Sequence, residues 1–343
     1  MGKARKCWVE GEGTVRLGER DFVAAGGEGE IYARGSVAYK VYHDPARMIP
    51  EGKIRDLAVI LDPRVIKPER VIRDDKGNSI GYTMRFVQDT LPLPRLFPMA
   101  YRERTGVAPD QILALVRRLQ SAVAAVHAAG ACVVDFNELN FLVAPDHSDL
   151  YLIDADSWQT PHFPPTAITE AVRDPNALRG PFTKETDWFC FAVLSFQLFV
   201  GIHPFKGKHP TLKTVEERMK ARIPVLDPDV SVPKAVYPFS IIPGPYLDWY
   251  KRLFAQGERG APPSSPVAVM VAVNPAARVL VAGGAIELIE LCALPSRVLG
   301  YWECGGSAIA AMSAVTEAPQ EDVSVAVGTV FLLNAVGLFA FPP

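Results

Sequence analysis

An apolar stripe dominates the stretch Pro109–Ala129, where Ile112, Leu115, Val116, Leu119, Val123 and Val126 recur every three or four residues. Arg117 and Arg118 fall off that stripe, so the spacing predicts a long helix with one face against a core. Pro109-Asp110 suits its entry, because a proline in the first turn gives up an N–H that would have no partner. This helix divides the chain. Before it come short β-prone runs, Phe22–Ala24, Glu30–Ala33, Val37–Val41 and Ile80–Phe86, separated by GGEGE, ARG and DDKGN turns, with Asp74–Asn78 read as a hairpin loop. After it a second apolar helix is expected from Thr186 to Val200, ended by Gly201 and Pro204. The expectation is an α+β chain, a small β-rich part followed by a larger helical one.

Charge and composition narrow the function classes. The 343 residues carry 36 basic and 38 acidic side chains, a net charge of -2, so no global field recruits nucleic acid. Hydrophobic residues make up 49%, enough for a sizeable core and far from a disordered composition. Cys7, Cys132, Cys190, Cys292 and Cys304 share no C-x-x-C spacing and are odd in number, which argues against a zinc cluster or disulfide framework. The N-terminus, MGKARKCWVEGEG, has no apolar run behind its basic residues, so a secretory signal is not expected and the chain is read as cytoplasmic.

Two stretches carry chemistry. The first, Ala24–Tyr32, holds Gly26, Gly27 and Gly29 between two strands, where backbone N–H groups can approach phosphate oxygens with no Cβ in the way. Alone it reads more readily as a tight hairpin. Val37-Ala38-Tyr39-Lys40 follows, a β-type run ending in a lysine that would otherwise snorkel to solvent. The second stretch follows the long helix. Asp135 and Asn140 stand five apart before the apolar run Phe141–Val143, and a second strand, Leu150–Ile153, delivers Asp154-Ala155-Asp156. Aspartates are common in turns, but an aspartate at a strand end can also hold a hard cation that bridges phosphates.

Taken in order, these elements resemble the eukaryotic-type Ser/Thr protein kinases, and more closely a divergent bacterial branch whose metal motif runs D-x-D-S-W-Q, here Asp154–Gln159. The resemblance covers roughly Asp21 to Arg259. Its last element, Asp187–Phe205, is similar to the family helix D-x-W-S-F-G-V-L-L-x-E-L-L-x-G-x-x-P-F and separates protein kinases from small-molecule phosphotransferases that share D-x-x-x-x-N. The resemblance implies a bilobal protein-kinase-like fold, with a small β-rich N-lobe at about 21–87 and a larger α-helical C-lobe at about 88–259. It implies ATP and Mg2+, or Mn2+, as cofactors and Ser/Thr of a protein as acceptor. In that family Lys40 would position the nucleotide phosphates, Asp135 orient the hydroxyl, Asn140 and Asp154 hold the metal, and Asp187 brace the catalytic loop. Met84-Arg85-Phe86-Val87 resembles the hinge that reads adenine. Val23, Ile31 and Ala38 would contact the base, although core packing explains those three equally well. Relatives in that branch imply a von Willebrand A-type or phosphatase signalling partner.

The departures are specific. Val133-Val134 stands where His-Arg precedes the catalytic aspartate, which removes a receptor for an activation-loop phosphate. Asn137 replaces a lysine; its amide can hydrogen-bond the transferring phosphoryl group but cannot neutralise its charge. Asp156 replaces the metal-motif glycine, and Arg173–Phe182 fills the place of A-P-E. These changes keep a second reading open, a pseudokinase acting as a nucleotide-binding or scaffolding module. The glutamate expected opposite Lys40 is Glu51 on separation alone, with Glu69 as fallback, although either can be a plain solvated carboxylate. His127 is read as a packed residue at a helix end.

From Pro262 to Pro343 the charge falls to eight residues in 82, and Ala and Val dominate. The expected organisation is therefore an N-terminal extension at 1–20, a kinase-like domain at 21–259, a linker at 260–266 and a small β-rich domain at 267–343. Val267–Val273, Val279–Ala282, Ile286–Leu291 and Val323–Leu333 are its β-prone runs. Val323–Phe341 is uncharged and approaches the length of a membrane span, but Asn334 and two glycines favour a hairpin.

Overall fold

The computed structural model describes residues 5–177 and 181–263 and, beyond them, six strands between 278 and 341. Contacts divide the chain into two units, 1–263 and 264–343. The first unit begins with an antiparallel sheet. Its strands are β1 (Arg5–Val9), β2 (Gly13–Leu17), β3 (Phe22–Ala25), β4 (Gly29–Arg34), β5 (Val37–Tyr42), β6 (Arg70–Arg73) and β7 (Ser79–Arg85), in the order β2-β1-β6-β7-β5-β4-β3. One helix, α1 (Glu51–Ala58), lies between β5 and β6 in the chain.

The stretch expected as an N-terminal extension is instead part of this sheet. Cys7, Val9, Val15 and Leu17 are buried while Trp8, Thr14 and Arg16 face outward, the period-two pattern of a half-buried hairpin. These side chains pack with Tyr39, Val41, Ile72 and Ile80. The Asp74–Asn78 loop joins β6 to β7. Asp74 accepts hydrogen bonds from the Lys76 and Asn78 N–H groups, and Gly77 supplies the positive φ the turn requires.

The helical part contains a short strand β8 (Leu91–Pro92), then α2 (Met99–Thr105) and α3 (Pro109–Ala128). Next come β9 (Phe141–Val143) and β10 (Leu150–Leu152), which with β8 form a three-stranded ribbon, then α4 (Lys184–Val200), α5 (Val215–Ala221) and α6 (Gly244–Lys251). Helix α4 starts at a Thr183 hydroxyl that accepts from the Thr186 N–H and ends at Gly201 in the left-handed region. Every residue from Asp187 to Val200 is buried, which explains why the segment is apolar on all sides. Phe196, Tyr250 and Phe254 meet in ring contacts beside it. At about 1.5–3 kcal/mol for each large apolar side chain removed from water, this helix anchors the core.

In the second unit, β11 (Arg278–Val281) pairs with β12 (Glu287–Glu290). Strands β13 (Val298–Cys304), β14 (Ser307–Met312), β15 (Val330–Asn334) and β16 (Gly337–Phe341) form an antiparallel sheet in chain order. The β-prone run 267–273 and residues 323–329 lie outside the described residues.

Candidate active site

A cleft of about 700 Å³ opens between the sheet and the segments that follow α3. Gly26, Gly27, Gly29, Ile31, Ala38 and Lys40 line it from β3, β4 and β5, together with Val23. Met84, Arg85, Phe86 and Val87 line it at the end of β7, and Asn140 and Asp154 from the far side. Sequence reasoning missed Glu28, Ile66, Tyr82, Leu142 and Ile153, which also line it; Leu142 and Ile153 belong to apolar runs that read only as strands.

The glycines divide by cause. A Cβ on Gly29 would lie 2.4 Å from the Val41 carbonyl oxygen, so the β4–β5 approach itself demands glycine there. A Cβ on Gly26 or Gly27 would meet nothing within 4 Å. The fold leaves that space open, and backbone N–H groups beside it suit an anionic ligand.

Lys40, in the middle of β5, is buried and faces three carboxylates. Its Nζ donates to Asp156 Oδ2 at 2.6 Å and lies 3.5 Å from Asp154 Oδ1 and 3.4 Å from Glu28 Oε2. Burial alone would lower the lysine's pKa, but Asp156 and Asp154 outweigh it and raise it. The Tyr42 hydroxyl also donates to Asp156 Oδ2, at 2.7 Å. Asp154 takes up the left-handed region, φ 63°, and burial together with the Asp156 charge pushes its carboxyl up to about 7 despite Lys40. Asp156 goes the other way: burial opposes ionisation, but Lys40 holds its carboxyl below the usual range.

Glu51 is not at Lys40. It accepts from Ser79 Oγ at 2.6 Å and pairs with Arg73 at 2.8 Å, because it stands in the first turn of α1 against the β6–β7 hairpin. Glu69, the fallback, precedes β6, where its N–H bonds the Thr83 carbonyl. The helix instead contributes Lys53, whose side chain is buried and donates to the Pro164 carbonyl at 3.4 Å. Burial lowers the pKa of Lys53, opposed by the charges of Asp156 and Asp154.

Asp135 is buried beneath the cleft. Its Oδ2 accepts from the Asn140 amide at 3.0 Å and its Oδ1 from the Thr169 hydroxyl at 2.5 Å. Asn137 lines a different groove, of about 610 Å³, with Glu138, Thr169, Arg173 and His203; its amide oxygen caps the following turn by accepting from the Leu139 N–H. Asp187 supports this loop from α4, accepting from the Val133 N–H at 2.7 Å and the Val134 N–H at 2.9 Å. Val134 has φ 60°, a strained value for a β-branched residue, and that bond to Asp187 helps hold it. His127 also meets Asp187, at 2.9 Å, so it is packed and hydrogen-bonded at the helix end. His127, Cys132 and Asp187 bring three potential ligand atoms within 4.8 Å, but the carboxylate is already committed to these N–H groups.

Where A-P-E was absent from the sequence, Asp174 fills a structural role that sequence reasoning missed. It is buried and makes a two-pronged pair with Arg259, at 2.5 and 2.6 Å. The neighbouring residues 178–180 lie outside the described residues.

The donors fit a hard divalent cation. Asp154 and Asn140 offer oxygen at the cleft, Asp156 Oδ1 is buried with no hydrogen-bond partner, and the crowding that raises Asp154 is what a cation would relieve.

Comparisons with known proteins divide along the chain. Over 207 residues the chain is 30% identical to a protein named "Protein kinase YegI" in two strains of Escherichia coli, covering 53% of this chain and 31% of that protein. The chain thus spans about a third of the length of these curated relatives. The likeness supports a kinase-like relationship. At the other end, residues 299–343 match the family described as "Conserved hypothetical protein 698". Thirty-nine residues are 64% identical to a UPF0324 membrane protein of Porphyromonas gingivalis and 59% to one of Bacteroides thetaiotaomicron, in each case 11% of this chain and 12% of the relative. Among the described residues no helix is long and apolar enough to cross a membrane. Part of the uncharged stretch is paired as the β15–β16 hairpin, with Asn334 opposite Gly337.

Proposed function

We propose that the first unit is an atypical, bilobal protein-kinase-like domain that transfers phosphate from ATP to a Ser/Thr hydroxyl of a protein. The observation that carries this reading is the cleft itself, where open-space glycines, a buried lysine, Asn140 and Asp154 line one cavity and Asp135 lies beneath it. Phosphoryl transfer needs positioning and charge neutralisation more than covalent chemistry. Lys40 would hold nucleotide phosphates, with Gly26 and Gly27 leaving room for them and Ile31, Ala38 and Met84 enclosing the base. Asn140 and Asp154 would hold Mg2+, which supplies charge neutralisation at the phosphate oxygens when bound.

Asp135 would orient the acceptor hydroxyl. The Thr169 hydroxyl already donates to that carboxylate, which supports the docking of an acceptor hydroxyl there. Asn137 contributes no cation, and its oxygen is taken up by the Leu139 N–H. That arrangement favours slow chemistry and gives the pseudokinase reading its support. The activity of the whole protein, its protein substrate and any signalling partner belong to this proposal as well.

The test is transfer of labelled phosphate from ATP with Mg2+ or Mn2+, comparing the unmodified chain with Asp135→Asn. Incorporation into the chain or a generic protein is expected, reduced about 10²–10⁴-fold in the variant, the range for removing a positioned acid–base group. ATP binding without transfer by either protein would move the pseudokinase reading ahead.

A further inference from the structure

The sheet lysine of the cleft has its closest carboxylate partner on the D-x-D turn, and the neighbouring helix brings a base where an acid was expected. Asp156 is buried, with Oδ2 bonded to Lys40 at 2.6 Å and to the Tyr42 hydroxyl at 2.7 Å. Its Oδ1 has no hydrogen-bond partner. Helix α1 packs against the turn that carries it, Ala155–Ser157. From that helix comes Lys53, 1% exposed, whose Nζ has one long bond to the Pro164 carbonyl. Among the described residues no carboxylate lies within ion-pair distance of Lys53. A buried ammonium and a buried orphan carboxylate oxygen are each costly, and their needs are complementary. Glu51, on the same helix, is committed to Arg73 and Ser79 on the hairpin.

We propose that Asp156 is the positioning residue for Lys40, and that Lys53, beyond ion-pair distance, is the buried positive charge that α1 brings to the turn carrying Asp156. The purpose of this arrangement rests on the nucleotide-binding reading above, but the Lys40–Asp156 pair does not. A carboxylate on the D-x-D turn fixes Lys40 from the same loop that carries Asp154, so the lysine and the metal-holding aspartate move together. Displacing α1 then changes the charge facing Asp156 without removing the Lys40 contact. Asp156 acts through Lys40 and is not itself a catalytic residue.

The experiment is competitive acetylation of the full chain by acetic anhydride without nucleotide, read lysine by lysine by mass spectrometry. Exposed Lys76 is the reference, and Lys67, bonded to the Ala58 and Ile60 carbonyls, reports whether the fold survives. Lys40, held by a buried carboxylate, and Lys53, buried on α1, should each react roughly tenfold more slowly than Lys76. Asp156→Asn should raise both, whereas Glu51→Gln should change neither. Unchanged Lys40 labelling in Asp156→Asn, or loss of protection in Glu51→Gln, overturns the assignment of Asp156. A rise at Lys40 alone overturns the role of Lys53.

If Lys67 labelling shows that Asp156→Asn has lost its fold, Tyr42→Phe decides. Removing one hydrogen bond from the carboxylate should raise Lys40 labelling about two- to threefold, and no change overturns the proposal. Magnesium–ATP affinity, measured in parallel, should fall about tenfold in Asp156→Asn, the loss of one charge-assisted contact. Unmodified protein that binds no nucleotide would overturn the kinase reading, while the labelling pattern in the nucleotide-free chain would still decide the roles of Asp156 and Lys53.

Discussion

Asp154 and Asp187 are aspartates of the same unit, both following Asp135 in the chain, and their surroundings differ in kind. Asp187 is buried with its carboxylate taken up by two backbone N–H groups and His127, all within 3 Å. Asp154 faces another carboxylate, shares one lysine with it and is pushed up to about 7. A buried charge whose hydrogen bonds are complete is scaffolding; one that remains crowded and incompletely matched is held ready for something that arrives later. The contrast separates the part of the cleft that braces the loop from the part whose charge is left crowded.

The largest effect should come from breaking the satisfied side. Asp187→Ala strips the partner from two buried N–H groups and releases Val134 from its strained conformation. A loss of about 3–5 kcal/mol is expected in denaturant unfolding, the range for removing one partner of a buried charged network. A loss below about 1 kcal/mol would dissolve the distinction.

Asp154→Asn should do the reverse. Removing one of two crowded carboxylates leaves stability unchanged or slightly higher, while the gain in nucleotide affinity caused by Mg2+ disappears. Isothermal titration with and without the metal reads this directly. A metal-dependent gain retained in the variant would take Asp154 out of the metal site.

A gentler test uses pH. His203 is buried at the second groove with its Nε2 at the Ala171 carbonyl, and burial lowers its pKa from 6.5 to about 4. The unfolded chain therefore binds the extra proton first, and stability present above pH 6.5 is lost as pH falls toward 4. At about 1.36 kcal/mol per unit, His203 contributes roughly 3 kcal/mol to that loss. His203→Gln should flatten the unfolding curve over that window. An unchanged slope would mean that the groove is wetter than its geometry indicates.

Much of the cleft was legible in sequence because short motifs carry their own geometry. A glycine run between strands, a lysine at mid-strand and an aspartate five residues before an asparagine each specify a local backbone, and those residues do line or underlie one cavity. Glu51 was misplaced for the opposite reason. Separation along the chain does not reveal which face of α1 meets the hairpin and which meets the cleft. The β1–β2 hairpin was missed although Cys7, Val9, Val15 and Leu17 show the alternation, because two five-residue strands give a weak periodic signal beside charged turns.

The sequence by itself determined the long helices, four of the β-prone runs before them and the side chains proposed to handle phosphate and metal. Those properties depend on periodicity and side-chain chemistry, which are local. Only the tertiary structure decided that Asp156 is the closest carboxylate to Lys40, that Lys53 is buried on the helix where an acid was expected, and that Asp174 meets Arg259. Each of those pairs joins residues 85 or more positions apart or depends on the rotation of a helix, so charge, burial and distance become known together only when the chain is folded.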